Sequence, residues 1–155
     1  RLIRRQRQMC IRDRSSGGGN HFVEFGEITL QEKNVLNLPE GSYLALLSHS
    51  GSRGLGAAIA KHYSLLAREV CRLPREAQHF AWLDLNTEEG QEYWMSMNLA
   101  GDYARACHER IHLNLAKALG LKPLANVNNH HNFAWKEEIT PGRMAIVHRK
   151  GATPA

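Results

Sequence analysis

The amphipathic stretch between Asp84 and Gly120 most constrains how this chain can fold. Asn86 offers a helix cap with Glu89 three residues later, the pattern of a capping box. Trp94, Met97, Ala104, Cys107, Ile111, Leu115 and Leu119 then recur at threes and fours, the spacing of one helix face. Gly120 supplies a stop. The spacing predicts a long helix packed on a sheet, with an interruption near Gly101. A stripe of Met and aromatic residues at this period is core rather than a cofactor pocket.

Apolar runs of strand length flank that block. His21–Ile28 alternates loosely and reads as a strand, Pro39–Ser42 is turn chemistry, and Tyr43–Leu47 reads as a short buried strand ending at Ser48-His49. Leu55–Arg72 carries Ile59, Tyr63, Leu66 and Val70 near one helical face. Beyond Gly120, Leu124–Asn129, Phe133–Glu137 and Met144–His148 read as strands. Strands, a long helical block and strands again indicate an α+β fold with a mixed sheet.

Charge adds a boundary. The formal charge is +5, but residues 1–14 contain six of the 20 Lys and Arg and one of the 15 acids. The remainder is therefore neutral, and any phosphate recognition there rests on placed groups rather than a basic field. Residues 1–14 can be read as a basic nucleic-acid arm. Their MCIRDR segment resembles translated sequencing-adapter sequence, so residues 1–16 are set aside as non-native and fold reasoning begins at residue 17. No stretch reaches the roughly 18 apolar residues a membrane span requires. Cys71 and Cys107 have no paired spacing, which makes a reducing cytoplasm the expected compartment.

The chemistry concentrates in three polar islands, Gly17–Glu24 (GGGNHFVE), Ser48–Gly56 (SHSGSRGLG) and Asn128–Phe133 (NNHHNF). Imidazole nitrogens bind borderline metals, and Arg pairs with phosphate. In the first island three glycines permit close backbone approach, beside Asn20, His21, Phe22 and Glu24. The second combines His49 at a strand end with small residues, Arg53 and a following helix start, the makings of an anion cradle. It lacks the G-K-[ST] ending of a Walker A loop. In the third, His130 and His131 project to opposite sides of an extended chain, so one can ligate while the other packs. His148–Thr153 (HRKGAT) adds two cations in a glycine turn. Each island alone also reads as ordinary structure: a glycine turn, a helix-capping loop, a chance histidine pair. His62, His79, His108 and His112 fall in or beside helical patterns without convergent partners and read as surface residues or supports behind a ligand.

Taken in this order, GGGNHFVE, HSGSRGLG, NNHHNF and HRKGAT resemble the RtcB family of RNA-splicing ligases, over residues 17–155. The resemblance implies a ligase that joins RNA 2′,3′-cyclic phosphate or 3′-phosphate ends to 5′-hydroxyl ends. GTP and two manganese ions are the implied cofactors, and the path runs through a histidine guanylate and an activated RNA 3′ end. By motif, His21 resembles a ligand of one manganese, and His49 and His131 resemble ligands of the other. His131 is preferred to His130 because the family's ligand immediately precedes an Asn, here Asn132. Asn20, Arg53, Asn132 and Lys150 resemble groups around the phosphates, and Phe22 and Glu24 the guanine-recognition pair.

The family's upstream D-x-x-C-G motif and its downstream H-G-A-G-R-type motif, which holds the guanylated histidine, have no counterpart here. Residues 17–155 are therefore expected to be the central part of an RtcB-like domain truncated at both ends, inactive alone. The expected partners are GTP and RNA, tRNA or other cleaved ends, with no membrane. Two other functions fit the same residues: a metal- or nucleotide-binding module without ligase activity, and a paralogue specialised for rRNA or tRNA repair.

Overall fold

A computed structural model describes residues 20–153. The adapter-like segment and the Gly17–Gly19 turn lie outside the described residues. The chain divides into two compact units, one extending to Ala125 and one from Asn126.

In the first unit, β1 (Phe22–Leu30) pairs antiparallel with β2 (Gly41–His49). The register sets Phe22 opposite His49, Val23 opposite Ser48 and Leu30 opposite Gly41. Asn34 organises the connection. Its Oδ1 accepts from the backbone N–H groups of Leu36 and Leu38, and its Nδ2 donates to the carbonyl of Gln31 at 2.8 Å. Tyr43 closes the turn by donating its hydroxyl to the Pro39 carbonyl at 2.7 Å.

The helix predicted over 55–72 is α1 (Leu55–Val70), followed by a 3₁₀ turn at Arg75–Phe80. The long block is α2 (Glu88–Ala118), a single helix that runs through Gly101 without interruption. Gly101 is buried beside Ala100 and Ala104, and small residues there let α1 approach closely. The β-carbon of Ala100 lies within 4.0 Å of where one would stand on Gly56. The core follows this seam: Ala67, Ala100, Ala104, Cys107, Ile111 and Ala116 are buried, joined by Leu30 at the end of β1. Tyr63 and Tyr93 add a ring contact across the two helices at 5.3 Å.

The cap of α2 differs from the predicted one. Thr87, not Asn86, is the N-cap and accepts from the Gly90 N–H at 3.2 Å. Asn86 instead donates its backbone and side-chain N–H groups to Asp84 Oδ1, both at 2.9 Å, forming a turn that ends where the helix begins. Replacing Thr87 by Ala is expected to cost about 1 kcal/mol in urea unfolding. Thr87→Ser should restore most of that, and equal stability of all three proteins would refute the cap. The C-terminus stops as predicted. Gly120 sits at φ 66°, its N–H donates to the Lys117 carbonyl and the Leu121 N–H donates to the Ala116 carbonyl, a Schellman closure.

The second unit holds β3 (Asn132–Thr140) and β4 (Arg143–Lys150), an antiparallel pair with a bulge between Glu138 and Thr140. Glu138 accepts from the Gly142 N–H in the turn at 2.6 Å. The chain is α+β, but among the described residues its strands form two separate two-stranded antiparallel ladders rather than one mixed sheet. Leu124–Asn129 is not a strand. Leu124 and Val127 are exposed there, and among the described residues no strand pairs with this segment.

Candidate metal and phosphate site

The open end of the β1–β2 hairpin brings Asn20, His21 and Phe22 beside His49. His21 immediately precedes β1 and His49 ends β2, so antiparallel pairing brings the two histidines together. Their ring centroids are 5.8 Å apart at 60°, and Phe22 lies 5.5 Å from the His49 ring. His49 Nδ1 donates to the backbone carbonyl of Asn20 at 2.8 Å. A carbonyl only accepts, so this bond places the proton on Nδ1 and leaves the lone pair of the neutral ring on Nε2. Metal-ligating imidazoles adopt this arrangement, with the second nitrogen fixed by a carbonyl or carboxylate. His21 presents the complementary feature, a buried Nδ1 with no hydrogen-bond partner. Its Nε2 stands 3.5 Å from where a β-carbon on Gly51 would be, so the glycine of the second island leaves room against the ring.

Phe22 and Glu24 lie two residues apart on β1 and share a face, both exposed. That places a flat apolar ring and a carboxylate side by side.

The loop after His49 departs from a simple anion cradle. Ser52 Oγ accepts from the Gly56 N–H at 2.7 Å, and the Ser52 carbonyl accepts from the Leu55 N–H at 3.1 Å. Two of the donors at the start of α1 are thus satisfied by the loop itself. Arg53 carries the loop's positive charge and occupies the left-handed region at φ 55°, followed by Gly54 at φ 87°. Left-handed backbone costs a non-glycine residue roughly 1–2 kcal/mol, and such strain collects at functional sites.

In the second unit, Asn132 and Lys150 are register partners. Asn132 Oδ1 accepts from the Gly151 N–H at 2.9 Å, and the His131 carbonyl accepts from the Ala152 N–H at 3.2 Å. The pairing therefore lays the HRKGAT segment along His131 and Asn132, three of the predicted residues in one place. His130 stacks on Phe133 at 4.9 Å and 28°. On the same ladder Arg149 forms a two-pronged pair with Glu137, with Nη2 2.7 Å from Oε2, and lies 5.2 Å over Trp135. That hydrogen bond holds the Glu137 carboxyl below its ordinary range and raises the Arg149 guanidinium above its own.

One histidine that the sequence left as a surface or supporting residue lies beside this site. His112 of α2 is hydrogen-bonded through Nε2 to Ser48 Oγ at 2.8 Å, next to His49 in the chain. Burial, reinforced by the nearby His108, pushes the His112 imidazole below its usual range. No local pattern marks a partner 64 residues away; only the polar Ser48 at the end of an apolar run hinted at one.

Among the described residues no three His, Cys, Asp or Glu side chains are grouped to hold a metal ion. Cys71 and Cys107 are free thiols. Each histidine at the hairpin end thus offers an imidazole nitrogen, without a complete ligand set among the described residues. Among the described residues, no helix is long and apolar enough to cross a membrane.

A family model described as tRNA-splicing ligase RtcB matches residues 4–155. The chain belongs to the RtcB family. Proteins named tRNA-splicing ligase RtcB from Methanococcus maripaludis and Thermococcus kodakarensis are each 30% identical over 91% of this chain and 33% of their own length. One of the same name from Methanocaldococcus jannaschii is 32% identical over 91% of this chain and 16% of its own. The chain thus spans a third or less of the length of these RtcB relatives.

Proposed function

We propose that this chain forms part of a GTP- and manganese-dependent RNA ligase. The enzyme joins RNA 2′,3′-cyclic phosphate or 3′-phosphate ends to 5′-hydroxyl ends, by way of a histidine guanylate and an activated RNA 3′ end. Beside the family membership, the observation that carries this reading is the paired histidines at the hairpin end. One ring has its proton fixed on Nδ1 by Asn20, and the other has a buried, unpartnered nitrogen.

His21 would serve one manganese, and His49 and His131 the other. Manganese ions would supply Lewis-acid stabilisation of charge on attacking and leaving phosphate oxygens. The stacking of His130 on Phe133 supports His131 as the ligand, because it gives the neighbouring ring a packing role. Arg53, Asn132 and Lys150 would orient phosphates, with Asn20 at the same end of the hairpin. Arg53 has the fork for two phosphate oxygens, and Lys150 is held opposite Asn132 by the β3–β4 register. Phe22 would stack on guanine while Glu24 accepts from its N–H donors.

The test is ligation of a 3′-phosphate RNA to a 5′-hydroxyl RNA by the full-length gene product. Joined RNA and a GTP-derived protein adduct are expected only with both GTP and manganese. Manganese and GTP binding without adduct or joined RNA would point to a binding module instead.

A further inference from the structure

The end of β2 is held from two sides. Ser48 and His49 are successive strand residues, so their side chains leave opposite faces of the ladder. Ser48 and its register partner Val23 form one face, where the Ser48 hydroxyl meets His112 of α2 at 2.8 Å. His49 and its partner Phe22 form the other, where His49 meets His21 and the Asn20 carbonyl. The strand is thus fixed to the most buried helix of the unit one residue before its histidine. A rotation or slip of that last residue pair would break the Ser48 bond and turn His49 away together.

We infer that His112 is a positioning residue for the proposed manganese site, fixing the direction of His49 through the Ser48 hydroxyl. The inference rests on the proposed role of His49 as a ligand. Two features suit His112 to the task. It stands on α2 one residue after buried Ile111, so its backbone is anchored in the core seam. Burial of its ring, reinforced by His108 one turn earlier, lowers its pKa. Both favour the neutral ring, whose Nε2 meets the Ser48 hydroxyl.

A simple structural staple would also join helix to strand, so the test must read the metal. In the full-length gene product, manganese affinity would be measured by the electron paramagnetic resonance of free ion, with thermal melting alongside. His112→Ala and Ser48→Ala should each weaken manganese binding by about 10- to 100-fold, the usual effect of losing a partner behind a ligand. The double variant should bind no more weakly than either single one, because both remove the same bond. His112→Gln, whose amide can still reach a hydroxyl, should recover most of the affinity. His49→Ala serves as reference. If it loses manganese while Ser48→Ala and His112→Gln bind within about twofold of the unaltered protein and His112→Ala only melts earlier, the inference is overturned and the ligand reading stands. If His49→Ala binds manganese normally, the ligand reading itself fails. Should His112→Ala not fold, Ser48→Ala decides the matter alone.

Discussion

Replacing His49 by Asn in the full-length gene product is expected to reduce GTP-dependent adduct formation more than about 100-fold, beyond what loss of a partner behind a metal ligand costs. Asparagine is the informative choice because its amide nitrogen stands near the place of Nδ1. The bond to the Asn20 carbonyl, 2.8 Å in the structure, can therefore persist while the Nε2 lone pair is removed. His49→Gln reverses the arrangement, keeping a polar atom near Nε2 and losing the Asn20 bond. If His49 acts as a ligand, Asn and Ala variants should be equally inactive, with an unchanged melting profile for Asn. If His49 matters only as a brace for Asn20, the Asn variant should retain activity and the ligand assignment would be wrong. His21→Ala should be comparably severe, since its buried Nδ1 has no hydrogen-bond partner to explain its place.

The hairpin end was legible because its logic is local. A strand read from His21 and an apolar run ending at Ser48-His49 bring the two histidines together once they pair antiparallel, a pairing that the structure supplies. The Schellman stop at Gly120 was legible for a similar reason, since a glycine after the last periodic apolar residue carries the signal by itself. Gly101 shows where such reading fails. A glycine inside a helical pattern weakens the helix by roughly 1 kcal/mol relative to Ala, which argues for a break. Here it lies in the buried seam beside Ala100 and Ala104, where small residues let two helices pack, and tertiary contact overrides the local cost. Leu124–Asn129 fails for the converse reason. Its composition suits a strand, yet a strand exists only with a partner, and the sequence does not say which segments pair. His112 is the same problem at the site: its role depends on Ser48, which no helical or strand period connects to it.

The α2 cap contains a demand that composition disguises. Gly90, the third residue of the helix, is buried, and its N–H donates to Thr87 Oγ1 at 3.2 Å. By propensity alone Gly90→Ala should stabilise a helix by up to about 1 kcal/mol. The geometry predicts the opposite. A β-carbon there would stand 1.9 Å from the Asp84 carbonyl oxygen, 2.6 Å from its carbon and 2.9 Å from Leu85 Cα. All three are backbone atoms, so no side chain can swing aside. The Asp84 carbonyl is itself held, accepting from the Thr87 N–H at 3.0 Å and the Thr87 hydroxyl at 2.8 Å. Relief therefore means dismantling the turn that starts the longest helix in the unit. Overpacking in a relaxable core costs roughly 1–3 kcal/mol, and a rigid backbone obstacle belongs at or above the top of that range. Gly90→Ala is accordingly expected to lose about 3 kcal/mol or more in urea unfolding, a large share of the roughly 5–15 kcal/mol that holds a typical domain. Gly26→Ala is the matched control, since nothing lies within 4 Å of its β-carbon position. It should stay within about 0.5 kcal/mol, the usual range of a surface change. A Gly90→Ala protein as stable as the Gly26→Ala one would mean that the Asp84 turn yields freely and that the cap is not rigid.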